Sequence, residues 1–137
     1  MKLNKLFLLS VMLITLFSVN IYALTPDGIS SLNKNFGSNI VASLDSENRG
    51  VVEASILIVM SAKKYYPGLN LRKAVNKISE LSQESKDLTI RYKAQLALMY
   101  VNFPELFSDL DFRDTENPDK YYLLINERLV KNSLASY

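Results

Sequence analysis

Val51-Val52-Glu53-Ala54-Ser55-Ile56-Leu57-Ile58-Val59-Met60 decides how the rest of this chain is read. Coiled as an α-helix it is apolar nearly all the way round, and a helix of that kind is buried on most sides. The stretch is therefore predicted to be the central helix of its domain. Asp45-Ser46-Glu47-Asn48 precedes it with capping side chains, Lys63 and Lys64 suit the negative end of its dipole, and Pro67-Gly68 ends it.

Working outward, the flanking segments repeat the helical period. Thr25-Pro26-Asp27 opens a first helix with a hydroxyl cap, Pro at the first helical position and an acid in the first turn. It runs to about Leu44, with Ile29, Leu32, Phe36, Ile40 and Leu44 on one stripe and Gly37 inside it. Asn70 caps a third helix whose stripe is Leu71, Ala74, Val75, Ile78 and Leu81. A fourth spans about Asp87 to Phe103, with Ile90, Ala94, Ala97, Leu98 and Val101 inward, and Pro104 disfavours its continuation. After an acidic connector, Asn117-Pro118-Asp119 opens a closing helix with stripe Tyr121, Leu124, Ile125 and Leu129. Of the neighbours Tyr121 and Tyr122, one ring is expected to face the core and the other solvent. No segment alternates with the period of two that a strand requires. The predicted fold is all-α with about five helices.

Asp87-x-x-Ile90-Arg91-x-x-Ala94-x-x-Ala97-Leu98 resembles the second-helix signature of HEAT-like repeats, in which an acidic turn precedes Val/Ile-Arg and an Ala lets neighbouring helices approach. A shift of 40 residues puts Ala94 on Ala54, Leu96 on Ile56, Leu98 on Ile58 and Met99 on Val59, with Glu47 matching Asp87. The earlier copy departs from the pattern, with Val51 where the Arg belongs and Gly50 where Ile90 stands. The resemblance covers about Ser43 to Val101 and implies a short right-handed stack of antiparallel helix pairs, an α-solenoid of about two units capped by the first and last helices. The alternative architecture is a small irregular helical bundle.

The first 24 residues carry a separate message. Lys2 and Lys5 precede an apolar run from Leu6 to Val19, broken only by small hydroxyl residues, and Asn20-Ile21-Tyr22-Ala23 ends in a small side chain. That is the layout of a secretory signal peptide, cut after Ala23, with residues 24–137 as a single helical domain. The competing expectation is an uncleaved anchor over Leu6 to Leu24. Cleavage predicts a periplasmic or secreted bacterial protein without stable membrane insertion. No Cys follows the apolar core, which closes the usual lipid-anchored route.

Removal of Lys2 and Lys5 leaves 14 basic against 14 acidic side chains, a balance that does not suit a general nucleic-acid binder. The charges are segregated: Ser61 to Pro104 holds eight basic and three acidic residues, Glu105 to Asp119 six acidic residues and Arg113. This dipolar arrangement reads as solvated faces, as a basic binding surface, or as patches for self-association. The chain has neither Cys nor His. Disulfides, the usual zinc, copper and haem ligands, a Cys nucleophile and a His acid–base are therefore absent, and no cofactor or metal is expected. Apolar packing must hold the domain.

Ser61-Ala62-Lys63-Lys64 has the Ser-x-x-Lys spacing of penicillin-interacting enzymes but lacks their Lys-Thr-Gly, so a helix terminus is the better reading. Asp109, Asp111, Asp114, Glu116 and Asp119 offer hard oxygen ligands for calcium, yet Arg113 stands fifth from Asp109 and Asp114 takes the place of the EF-hand Gly. Paired carboxylates could serve a glycosidase, whose deep groove this chain length barely provides. The remaining feature is Lys63-Lys64-Tyr65-Tyr66 with Arg72, Lys73 and Lys77. Aromatic rings beside cations suit a protein interface, although Tyr also serves as core with its hydroxyl at the surface. The expected function is a non-catalytic adaptor or scaffold that binds another protein through this basic, Tyr-bearing segment. The alternative is a small inhibitor or immunity-type protein that inserts an acidic patch, Asp109, Asp111, Asp114 and Glu116, into the basic cleft of an envelope toxin or hydrolase.

Overall fold

The computed structural model of the protein describes residues 26–112 and 117–134. The leader, Asp114 and Glu116 lie outside the described residues. Within them are five α-helices and no strand: α1 (Pro26–Leu44), α2 (Arg49–Tyr65), α3 (Arg72–Glu84), α4 (Leu88–Asn102) and α5 (Asp119–Leu134), with a 3-10 turn at Pro104–Phe107 before α5. The fold is all-α. The chain divides into two compact units, Met1–Phe36 and Gly37–Tyr137. The first is represented by the N-terminal part of α1, and the second holds everything considered below.

The helix boundaries follow the caps. Asn48 accepts from the backbone N–H groups of Gly50 and Val51, at 2.9 and 3.3 Å. Asp87 does the same for Thr89 and Ile90, at 2.8 and 3.2 Å. Each side chain satisfies donors that the first helical turn leaves without a partner. Asn70 accepts from Arg72 N–H at 3.2 Å, and Leu69 N–H closes the Pro67-Gly68 turn onto the Tyr66 carbonyl at 2.9 Å. Arg91 reaches back from α4 with two donors to the Ser85 carbonyl, which fixes the short α3–α4 turn.

The centre of the unit is α4 rather than α2, the helix that its apolar circumference predicts to be central. Helix α4 packs on α3, α2, α5 and the 3-10 turn. Ala94 and Ala97 are fully buried, and their small side chains let neighbours approach. Helix α2 is buried along Val52, Ile56, Val59 and Met60, while Val51 and Ile58 on its other side remain 40% and 46% exposed. An all-apolar circumference permits burial on every side, but the chain must fold back to cover each side, and the elements packed on α2 cover one.

Two further departures concern the aromatic residues. The acidic connector is part of the core: Phe107, Leu110 and Phe112 are buried, and Tyr100, Phe107, Phe112 and Tyr121 form a chain of rings with centroids 4.8 to 5.7 Å apart. Tyr121 and Tyr122 are both buried, at 1% and 4% exposure, because Tyr121 meets Phe112 while Tyr122 lies beneath the Lys93 ammonium, 5.1 Å from its ring centroid. The Tyr122 hydroxyl is buried with no hydrogen-bond partner among the described residues. Burial pushes its phenol, and that of Tyr100 to about 12, upward in pKa, so both rings stay neutral.

Candidate partner-binding groove

The seven basic and tyrosine residues picked out by sequence separate into three groups. Lys63, Tyr66 and Arg72 border one groove of about 320 Å³, whose floor is built by Leu69, Leu71, Val75 and Val101, with Pro67 and Asn76 completing the wall. The Pro67-Gly68 turn makes it, by reversing the chain between α2 and α3 so that the last turn of one faces the first turn of the other. Lys73 is exposed on α3 next to Arg72. Lys63, Arg72 and Lys73 have no ion-pair or side-chain hydrogen-bond partner among the described residues.

The second group clasps the connector. Lys64 Nζ donates to the Ser108 carbonyl at 3.1 Å and to that of Leu110, while the Tyr65 hydroxyl bonds Asp111 and accepts from Phe112 N–H at 3.0 Å. Both residues thus hold the aromatic connector on the domain. Lys64 is in consequence committed to carbonyl oxygens rather than to Ser61. Lys77, the third group, is occupied by Asp45 at 2.5 Å and Glu80 at 2.6 Å.

The acidic patch is drawn into the same internal pairing. Asp109 is held by both arms of Arg128, which also donates to the Leu106 carbonyl at 3.1 Å; this pairing keeps the Asp109 carboxyl below its ordinary pKa. Asp119 lies away from it, on Lys93. Among the described residues no group of three acidic side chains is placed to hold a metal ion.

A second hollow, about 250 Å³, lies where the α1–α2 and α3–α4 turns meet, lined by Leu44, Val52, Leu81 and Ile90 and by the charged residues Asp45, Glu47, Arg49, Lys77 and Asp87. Its two cations are already matched, Lys77 to Asp45 and Arg49 to Asp87 at 3.6 Å. The groove at Lys63 and Arg72 differs in carrying cations, an apolar floor and, among the described residues, no carboxylate. Its basic rim was legible in the sequence, whereas the floor was not. The available signal was Leu69, an apolar residue placed directly after Pro67-Gly68, where a solvated turn would carry a polar one. Comparison with protein families, with curated proteins and with solved structures returns no match for this chain.

Proposed function

We propose that this protein is an exported, non-catalytic helical-repeat module that binds another protein in the bacterial cell envelope through the groove between α2 and α3. The observation that carries the reading is the contrast between paired and unpaired cations. Arg49, Lys64, Lys77, Arg91, Lys93 and Arg128 each have carboxylate or carbonyl partners within the chain. Lys63, Arg72, Lys73, Lys86 and Lys131 have none among the described residues, and of these Lys63 and Arg72 border an apolar floor. Cations left unmatched beside apolar surface favour the encounter with a complementary protein. Helix α3 also carries Arg72 and Lys73 in its first turn and no acid there, the reverse of what its dipole prefers.

The repeat reading draws on the near-identical caps of α2 and α4, Asn48 at φ −81°, ψ 110° and Asp87 at φ −79°, ψ 111°, and on the side-by-side packing of those helices. The envelope location rests on the signal-like leader. An inhibitor that inserts its acidic connector has less to draw on, since Asp109 and Asp111 are engaged by Arg128 and Tyr65.

Affinity capture from an envelope fraction tests the adaptor reading, using the wild type, Arg72→Glu, and Lys131→Glu as a charge-matched control away from the groove. A stoichiometric protein retained by the wild type and the control but lost with Arg72→Glu is the expected result. Retention by all three would remove the groove from the function.

A further inference from the structure

We propose that the groove takes an extended acidic segment of the partner, one aliphatic or aromatic side chain seated on Leu71 and Val75 and flanking carboxylates drawn to Lys63, Arg72 and Lys73. This rests on the protein-binding reading above and specifies the chemistry of what is bound.

The size of the groove restricts the occupant. About 320 Å³ is at the lower edge of what a small-molecule pocket offers, enough for one or two side chains and their backbone. A convex folded surface would touch only the rim, whereas an extended segment can lower a single side chain onto the floor. Burial of that side chain against Leu71, Val75 and Val101 supplies the non-directional part of the affinity. Tyr66, 59% exposed, stands beside it as a ring with little conformational freedom to lose on binding.

Charge then restricts the sequence of the occupant. No Asp or Glu is among the described residues that line the groove, so Lys63 and Arg72 have no counter-ion among the described residues and their fields add. Arg72 offers a planar fork that matches a carboxylate with two parallel hydrogen bonds, and Lys63 a rotatable point charge at the same groove. Asn76 adds an amide that both donates and accepts, suited to a peptide backbone. Acidic residues on either side of an apolar one meet all three demands. A phosphate backbone would satisfy the cations while leaving the apolar floor empty.

The test uses protein expressed from the full reading frame, purified as the host processes it and labelled with nitrogen-15. The probe is an end-capped peptide of two glutamates, a phenylalanine and two further glutamates. Titration at about 0.05 M salt should move amide signals from Tyr66 to Asn76, and raising the salt to about 0.5 M should weaken binding, because the Debye length shortens to a few ångströms. Replacing the phenylalanine by serine, or all four glutamates by lysine, should abolish the shifts. K63E and R72E should each weaken binding about tenfold, while K131E leaves it within about twofold. Both groove residues are exposed, and the milder K63Q and R72Q serve if either charge reversal perturbs the circular dichroism spectrum.

Shifts spread over the whole surface, equal loss in K131E, or no binding would overturn the proposal. So would tighter groove-dependent binding of a single-stranded oligonucleotide or of anionic lipid vesicles than of the peptide. The envelope capture separates the two levels: a captured partner that depends on Arg72 while the peptide fails leaves the adaptor reading standing and refutes the acidic segment alone.

Discussion

Lys93 Nζ of α4 lies 2.9 Å from Glu53 Oε2 of α2 and 2.6 Å from Asp119 Oδ1 at the start of α5, so one buried ammonium joins three helices. Arg49 extends the array by bonding Glu53 at 2.7 Å and approaching Asp87. The Lys93 side chain is only 10% exposed, whereas the Asp119 carboxylate is 68% exposed. Glu53 is therefore the partner that shares its interior environment. Glu53→Gln should lower the free energy of unfolding by about 1–2 kcal/mol, a modest value for a charged hydrogen bond because Glu53 keeps partial solvent contact. Lys93→Met, which removes the buried charge and keeps the apolar stem, should cost less. Urea unfolding of the two variants gives the order, and a larger loss in Lys93→Met would refute this account of the array.

The same array sets the response to pH. Burial raises the Glu53 carboxyl, but hydrogen bonds from Arg49 and Lys93 outweigh it and hold the group below its ordinary value. The Asp87 carboxyl is lowered chiefly by the Ile90 N–H. Carboxyls depressed in the folded state add stability that is complete above their unfolded values and disappears as pH falls through the folded ones. Lys93 behaves oppositely: burial lowers it, the bonds to Asp119 and Glu53 prevail, and its contribution disappears only as pH rises through its raised folded value. The urea midpoint should be flat from about pH 6 to 9, fall below about pH 5, and fall again above about pH 10. Glu53→Gln with Asp87→Asn should flatten the acid limb, and an unchanged limb would assign it to other groups.

Tyr122 presents a buried hydroxyl without a partner among the described residues, and such a group costs stability when the chain folds. Tyr122→Phe retains the ring beneath Lys93 and removes the hydroxyl, so it should be neutral or stabilise the fold by up to about 1 kcal/mol. Thermal unfolding measures it, and a clear loss of stability would mean that the hydroxyl is satisfied.

The connector should be as sensitive to truncation as any helix core. Phe107 is fully buried against Tyr100, and Phe107→Ala should cost about 3–5 kcal/mol, a large share of the stability of a small domain. A loss below about 1 kcal/mol, read by chemical denaturation, would show that the segment is peripheral.

Tyr65 and Lys64 should act on that connector and leave the groove intact. Tyr65→Phe removes the acceptor for Phe112 N–H and the bond to Asp111, and should cost about 1 kcal/mol while accelerating hydrogen exchange at the Phe112 amide. Unaltered exchange there would mean that the clasp does not hold the connector.

Local chemistry and periodicity carried most of the fold. The caps at Asn48 and Asp87, the Pro67-Gly68 turn and the stop at Pro104 act over a few residues, so five helices and their ends could be read along the chain. The basic rim of the groove was legible for the same reason, since Lys63 and Arg72 flank a turn recognisable from its own residues. Which helix became the centre, and which residues were free to bind, depended on contacts far apart in sequence. Val51 and Ile58 are as apolar as Val52 and Ile56 yet remain exposed, and the difference is only which side of α2 meets α4. Lys64 and Tyr65 are chemically like Lys63 and Tyr66, but one pair is spent on Ser108 to Phe112 while the other borders open space. Burial and pairing belong to two surfaces at once, and a sequence by itself displays only one.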